Sequence, residues 1–294
     1  MKKLFFLLVF LLPTLVAGAQ NRTVFTDGLR FPEGTVRYKH MVLVSNFGGE
    51  ELDPLNSAGR GYISAIEGSQ VQTIISAAGG YLSAPKGMAV LGNHLFVADV
   101  GRVAVFNLKK PDQRPRFIKL GKDDLFANDV AVLGELVLVS VTNTGRIYAI
   151  DASDINHLGA ANKVGSVPGA NGMAVSGTKL YIASYDPNEK PTKANVIYVF
   201  DVANKEAEVV PLIKDLPAGQ YDGIALSSDA QRIYFSSWTG PDGGAIYSYA
   251  LLGDEPVRKL DFGVQFVGPA DITIVEDMIY IPDLPKSKVY CFKL

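Results

Sequence analysis

Residues 169–184 read Gly-Ala-Asn-Gly-Met-Ala-Val-Ser-Gly-Thr-Lys-Leu-Tyr-Ile-Ala-Ser: a turn, a short apolar run, a tight turn and a second apolar run. The apolar residues are β-branched, aromatic or small, and Gly, Ser and Asn bound each run, which is typical of strands rather than of a helix. The same pattern occurs five more times. Each copy opens with a triplet of turn-forming residues, and the triplets end at positions 34, 87, 129, 172, 223 and 271.

A repeat of 42 to 53 residues that contains only strands predicts a β-propeller. The copies continue into third and fourth apolar runs, so the expected fold is all-β, with six blades of four strands. The last copy reaches Leu294 after its third strand, whereas residues 22–26 precede the first triplet and belong to no blade. We therefore expect this N-terminal strand to close the sixth blade and remove an open sheet edge.

The N-terminus has the features of a secretory signal peptide. Lys2 and Lys3 precede an apolar run, and Ala17-Gly18-Ala19 is a small-residue cleavage pattern. The alternative is a membrane anchor, but the apolar run is short for the roughly 20 residues that a span needs, and Pro13 interrupts it. We expect a signal peptide at residues 1–19 and one propeller domain at 20–294. The mature protein would be exported, periplasmic or secreted, with no membrane span.

The charge balance argues against a nucleic-acid-binding function, and the cysteine count excludes an internal disulfide. The chain has 28 Lys and Arg residues against 30 Asp and Glu residues, a near-neutral balance that argues against nucleic acid as the partner. The single cysteine, Cys291, has no internal disulfide partner. Because it lies between Tyr290 and Phe292 in an apolar run, we expect a buried structural thiol. The sequence does not indicate the oligomeric state.

The middle residue of each triplet directly precedes an innermost strand, so these six residues are expected to ring the central channel. They are Glu33, Lys86, Asn128, Asn171, Asp222 and Ala270. Two carboxylates and two amide carbonyls form an oxygen-only set, which suits a hard cation such as Ca²⁺, Mg²⁺ or Mn²⁺. Alternatively, these residues only cap the strand starts, where Asn and Asp favour turns. Four oxygen-bearing side chains in register favour a site.

The motifs Pro-Glu-Gly in the first repeat, Asn-Asp in the third, Asn-Gly in the fourth and Asp-Gly in the fifth resemble those of the gluconolactonase/senescence-marker-protein family of six-bladed propellers. The resemblance implies that Glu33, Asn171 and Asp222 bind a divalent metal, with Ca²⁺ the expected ion. It also implies that Asn128 contacts the substrate or a metal-bound water. The implied activity is hydrolysis of lactones or related esters.

Three features depart from that family. Thr35 and Val36 follow the Glu-Gly pair, where the family usually has an aromatic residue. Phe126 occupies a position at which the family commonly has an Arg that contacts a sugar acid, and this favours a more apolar substrate. Lys86 directs an ammonium at the channel. It could bind an anionic substrate, stabilise an oxyanion, or pair with Glu33 or Asp222 in a metal-free site.

The expected function is that of an exported, metal-dependent hydrolase of the lactonase or esterase type, acting on a small-molecule substrate. Asp222 is the candidate proton acceptor and Lys86 the candidate oxyanion partner. Tyr185 and Trp238 follow second strands at equivalent places and are expected at the pocket mouth, with Phe126 and Asn128 as further substrate contacts. The alternative is a non-catalytic exported propeller that binds a small ligand or a protein, because function depends on the site rather than on the scaffold.

Overall fold

The computed structural model describes residues 22–185, 196–204, 208–213, 216, 219–239 and 243–294. The predicted signal peptide lies outside these residues. No helix in the described ranges is both long and apolar enough to cross a membrane.

The chain forms six antiparallel sheets of four strands each, which confirms the predicted six-bladed β-propeller. Blades 1 to 5 each use four consecutive strands. The strands are β1 (Arg22–Phe25); in blade 1, β2 (Pro32–Tyr38), β3 (Met41–Asn46), β4 (Tyr62–Glu67) and β5 (Gln70–Ile75); in blade 2, β6 (Met88–Leu91), β7 (His94–Asp99), β8 (Arg102–Asn107) and β9 (Arg116–Lys119); in blade 3, β10 (Ala127–Leu133), β11 (Leu136–Val141), β12 (Arg146–Asp151) and β13 (Asn162–Ser166); in blade 4, β14 (Ala170–Ser176), β15 (Lys179–Ser184), β16 (Ile197–Asp201) and β17 (Val210–Ile213); in blade 5, β18 (Tyr221–Leu226), β19 (Arg232–Ser237), β20 (Ala245–Ala250) and β21 (Arg258–Lys259); and in blade 6, β22 (Thr273–Val275), β23 (Met278–Asp283) and β24 (Lys288–Lys293).

The sixth sheet combines strands from both ends of the chain. Its order is β1-β24-β23-β22, and β1 runs antiparallel to β24, with Arg22 opposite Phe292 and Phe25 opposite Val289. Cys291 lies on β24 opposite Thr23 and is a buried free thiol, as its apolar neighbours predicted. The outer edge of the last blade is therefore covered by the N-terminal strand.

Each innermost strand joins the second strand through a tight turn. In the quoted stretch, Ser176 pairs with Lys179, so Gly177 and Thr178 form a two-residue loop. Gly177 has φ +58°, a left-handed conformation that glycine adopts without steric cost. Such a turn holds two neighbouring apolar runs in register as a hairpin.

The hydrophobic core lies between the blades, where facing sheets pack. One cluster joins Phe96 and Val105 of blade 2 to Val139 and Ile150 of blade 3. Full burial of one such large side chain stabilises the fold by about 1.5–3 kcal/mol. Because every blade packs against two others, the six innermost strands are held around one axis.

Candidate functional site

The predicted channel residues lie at irregularities of the innermost strands. In blades 1, 3, 4 and 5 the pairing of innermost and second strand shifts across the last two triplet residues, for example between Ala170 and Met173. A bulge takes residues out of the regular ladder and re-aims their side chains. The four middle residues at these irregularities are those with oxygen-bearing side chains: Glu33, Asn128, Asn171 and Asp222.

Glycine at the third triplet position lets the innermost strands approach closely. A Cβ on Gly34 would lie 2.6 Å from the Lys86 carbonyl oxygen, and one on Gly172 would lie 2.3 Å from the Asp222 carbonyl oxygen. Backbone atoms cannot yield as a flexible side chain can. These glycines therefore bring the middle residues of neighbouring blades together around the channel.

Four buried side-chain oxygens in this ring have no hydrogen-bond partner in the described part of the chain. They are Glu33 Oε2, Asn128 Oδ1, Asn171 Oδ1 and Asp222 Oδ1. A buried polar atom without a partner costs about 1–3 kcal/mol, so such atoms call for a physical explanation. All four atoms are oxygens that line one cavity, and they match the donor preference of a hard divalent cation.

The two ring carboxyls carry strongly perturbed pKa values. Burial raises the pKa of Glu33 well above its ordinary value, the nearby Asp222 raises it further, and the Lys86 charge lowers it. Burial is also the main reason that the pKa of Asp222 is raised to about 7, with a contribution from Asp129. Two carboxylates confined in one channel repel each other, and a bound cation would relieve that repulsion.

The donor set fits a cation only if the amides take part. No group of three or more His, Cys, Asp or Glu side chains among the described residues is placed to hold a metal ion. The ring has two carboxylates, so a site there needs the amide oxygens of Asn128 and Asn171 as well. Amide oxygens are ordinary ligands of Ca²⁺, so the set is suitable in chemical type.

Lys86 lies in the ring but binds backbone oxygens. Its fully buried ammonium donates to the carbonyl oxygens of Pro54, at 2.7 Å, and Ala84, at 2.9 Å. No ion pair joins it to Glu33 or Asp222 within the described chain, although all three charges interact through space. Burial lowers its pKa to about 8 despite these acidic neighbours. An ammonium has three donors, so one remains for a ligand.

The remaining predicted substrate contacts line the same cavity. Phe126, Tyr185 and Trp238 line it together with the apolar residues Phe47, Leu52, Pro54 and Leu284. The cavity is half open to solvent and has a volume of about 70 Å³. One water needs at least about 10–15 Å³ on this measure, so the cavity holds a handful of water-sized groups. The structure thus brings every site residue predicted from sequence into one pocket.

A second acidic pair lies deeper in the channel and was not predicted as a site. Asp129 and Asp271, the third triplet residues of blades 3 and 6, are joined by a side-chain hydrogen bond, and burial raises both pKa values, that of Asp129 to about 7. Asp129 also accepts hydrogen bonds of 2.6 Å from the backbone amides of Val130 and Met173. Since blades 3 and 6 face each other across the ring of blades, the pair bridges opposite sides of the channel.

Sequence analysis also missed three serines in the second strands. Ser45, Ser140 and Ser236 each accept a hydrogen bond from the amide of the third triplet residue of their own blade. Ser140 Oγ donates to the Asn171 carbonyl oxygen at 2.7 Å, and Ser236 Oγ to that of Ala270 at 2.8 Å. The only sequence signal is a polar residue near the end of an apolar run. These hydroxyls fix the backbone that carries the ring.

Comparisons with known proteins support the fold. No protein-family model and no curated protein sequence matches the chain. Among solved structures, a gluconolactonase from Xanthomonas campestris aligns with a TM-score of 0.68 and 12% identity, over 94% of this chain and 90% of that one. Virginiamycin B lyase from Staphylococcus aureus aligns with a TM-score of 0.61 and 13% identity, over 93% of this chain and 99% of that one. At such identities the likeness establishes the fold alone.

Proposed function

We propose that the protein is a divalent-cation-dependent hydrolase of lactones or esters, with the ion held in the central channel by Glu33, Asn171 and Asp222. The observation that carries the proposal is the set of four buried, partnerless oxygens in this ring. Ca²⁺ is the ion we expect, because the oxygens are a mixture of carboxylate and amide, and Mg²⁺ and Mn²⁺ are the alternatives. The structural likeness to a gluconolactonase agrees with this assignment at the level of fold.

When bound, the cation supplies Lewis-acid polarisation of the substrate carbonyl. Asp222 is the proposed general base. As a ligand of the cation, it would take a proton from water through a carboxylate oxygen that the cation leaves free. Asn128 is the proposed contact to the substrate or to the attacking water. The third N–H of Lys86 is the proposed donor to the carbonyl oxygen as negative charge develops there.

Melting curves of chelator-treated protein with and without Ca²⁺, Mg²⁺ or Mn²⁺ test the cation site. At one hundred times its Kd an ion should stabilise the fold by about 2.7 kcal/mol. We expect this shift in the wild type and in Glu135→Gln, whose side chain is exposed, but not in Glu33→Gln. Absence of a shift in the wild type for all three ions would overturn the cation site.

A panel of lactones and esters then tests hydrolysis. We expect turnover that is lost on chelation and reduced at least about a hundredfold in Asp222→Asn, the lower end of the usual contribution of a general base. A cation-dependent melting shift without any turnover would contradict the hydrolase and favour a propeller that binds a ligand without catalysis.

A further inference from the structure

The described cavity lining has a polar floor and an apolar wall. The floor is the ring of four oxygen-bearing side chains, each of which points an unpartnered oxygen into the channel. The wall, in contrast, is built from aliphatic and aromatic side chains, with the Tyr185 hydroxyl and the Trp238 indole N–H as its polar groups: Phe47, Leu52, Pro54, Phe126, Tyr185, Trp238 and Leu284. A ligand in this cavity contacts both the oxygens and the apolar wall.

Lys86 is the one Lys or Arg among the described lining residues, and two of its three N–H groups are already engaged. Lys86 Nζ donates to two backbone carbonyls and also lies over two aromatic rings, 5.4 Å from the centroid of Phe47 and 5.0 Å from that of Phe126. A polyhydroxylated ligand needs a partner for each buried hydroxyl, because an unpaired one weakens binding strongly. Apart from the Tyr185 hydroxyl and the Trp238 indole N–H, the side chains of the described wall offer no such partner, so the wall favours apolar groups over hydroxyl groups.

Exposed apolar side chains also occur on the loops around the cavity. Leu52, Leu55, Leu125 and Val267 are 36%, 42%, 50% and 50% exposed, and Leu55 and Leu125 directly adjoin the lining residues Pro54 and Phe126 in sequence. All four lie on the face of the triplets, because Pro32 pairs with Asn46 and the end of each second strand therefore meets the start of the innermost strand. Exposed apolar surface next to a pocket is typical of a ligand-binding site.

The volume of the cavity decides where a ligand would lie. The half-open cavity of about 70 Å³ accommodates a carbonyl group and a handful of further atoms. The rest of a larger ligand must therefore extend through the mouth and over the rim. Leu52 contacts both regions, since it lines the cavity and is also exposed.

We propose that the substrate is a neutral lactone or ester with an apolar alkyl arm, which lies along Phe126 and Leu52 and over the rim while the carbonyl faces the oxygen ring. This inference rests on the proposed hydrolase function. In the reaction, water adds to the carbonyl carbon and the acyl–oxygen bond breaks. A lactone then yields a hydroxy acid, and an ester yields an acid and an alcohol, with no redox partner.

A series of γ-lactones with straight side chains of increasing length tests the arm, with glucono-lactone as the hydroxylated comparison. We expect kcat/KM to rise roughly fourfold for each methylene that becomes buried, and to level off once the arm passes the rim. Leu52→Asn should lower the gain per methylene. Leu252→Ser is the matched control, because this leucine is 73% exposed in the connection between β20 and β21, on the opposite face.

Ligand binding followed by Trp238 fluorescence distinguishes a wrong assignment of the apolar arm from a wrong assignment of the hydrolase. Trp238 is the only tryptophan of the chain and lines the cavity, so its fluorescence reports binding without turnover. In one outcome, no lactone or ester is hydrolysed, but primary alcohols from butanol to octanol change the Trp238 emission, and their affinity rises with each methylene. This outcome would support the apolar arm site and contradict the hydrolase. If lactones are hydrolysed without dependence on chain length, or glucono-lactone is preferred, the apolar arm is overturned and the hydrolase stands.

Discussion

The Lys86 ammonium donates a 2.7 Å hydrogen bond to the Pro54 carbonyl oxygen and so ties the triplet of blade 2 to the long loop of blade 1. That loop also carries Leu52 at the cavity wall. One buried side chain therefore acts on both parts of the site: it positions the loop through its hydrogen bond, and its charge acts on the ring carboxyls.

Replacement of Lys86 should separate these two effects. In Lys86→Met we expect faster backbone hydrogen exchange in residues 50–58, because the loop loses its tie. We also expect tighter cation binding, several-fold and on the order of 1 kcal/mol, because a positive charge near the ring is removed. Hydrogen exchange and a Ca²⁺ titration of the melting temperature measure the two. Lys110→Met, at an exposed site, is the control, and identical behaviour of the two variants would show that Lys86 has neither role.

The free energy of unfolding should change with pH in the direction opposite to that expected from carboxylates with lowered pKa values. The pKa of Asp222 rises from an ordinary value of 3.8 to about 7 on folding, and that of Glu33 rises as well. The folded state therefore binds more protons than the unfolded state between about pH 4 and pH 7. It follows that the free energy of unfolding of the cation-free protein falls as pH rises through this window.

A thermal melt series of chelator-treated protein from pH 4 to pH 8 checks that sign. We expect Asp222→Asn to lessen the decline by at least about 2–4 °C, which corresponds to about 1 kcal/mol in a chain of this size. Saturating Ca²⁺ should also flatten it, because a cation takes the place of the protons. Asp112→Asn, on an exposed loop, should retain the wild-type slope. A melting temperature that rises from pH 4 to pH 7 without cation would contradict the buried carboxyl pair.

Loss of the Ser140 hydroxyl should lower the stability of the protein. Ser140→Ala removes a partner from the buried Asp129 amide and from the Asn171 carbonyl. We expect a loss of about 2 kcal/mol or more in denaturant unfolding, because both groups would remain buried and unpaired. The Ca²⁺-induced melting shift should also shrink, since Asn171 is a proposed ligand. The exposed Ser69→Ala is the control, and equal stability of the two variants would show that the two Ser140 hydrogen bonds do not stabilise the fold.

Close packing around the channel makes Gly172 hard to replace. In Gly172→Ala the new Cβ would meet the Asp222 carbonyl oxygen at 2.3 Å and the Gly223 Cα at 2.8 Å. We expect a loss of about 3 kcal/mol, at the upper end of the usual cost of overpacking. Gly165→Ala is the comparison, because its Cβ would meet nothing nearer than 3.6 Å. Denaturant midpoints measure both, and a tolerated Gly172→Ala would mean that the strands can separate at this point.

The sequence by itself determined the number of blades and the ring of channel residues. Strand period and turn chemistry are local properties, so repeats such as residues 169–184 identify the blades directly. Once the blades are counted, closure around one axis brings equivalent residues such as Glu33 and Asp222 together, although 189 positions separate them. The burial of Cys291 followed from its apolar neighbours in the same way.

Only the tertiary structure decided how the polar atoms pair. Whether Lys86 faces a carboxylate or the Pro54 carbonyl depends on where a long loop lies, and no local pattern specifies that. The Asp129–Asp271 pair and the hydrogen bond from Ser140 to the Asn171 carbonyl oxygen depend on the spacing between blades. The irregular strand starts and the glycine contacts set that spacing, and four oxygens in the channel are left without a partner among the described residues.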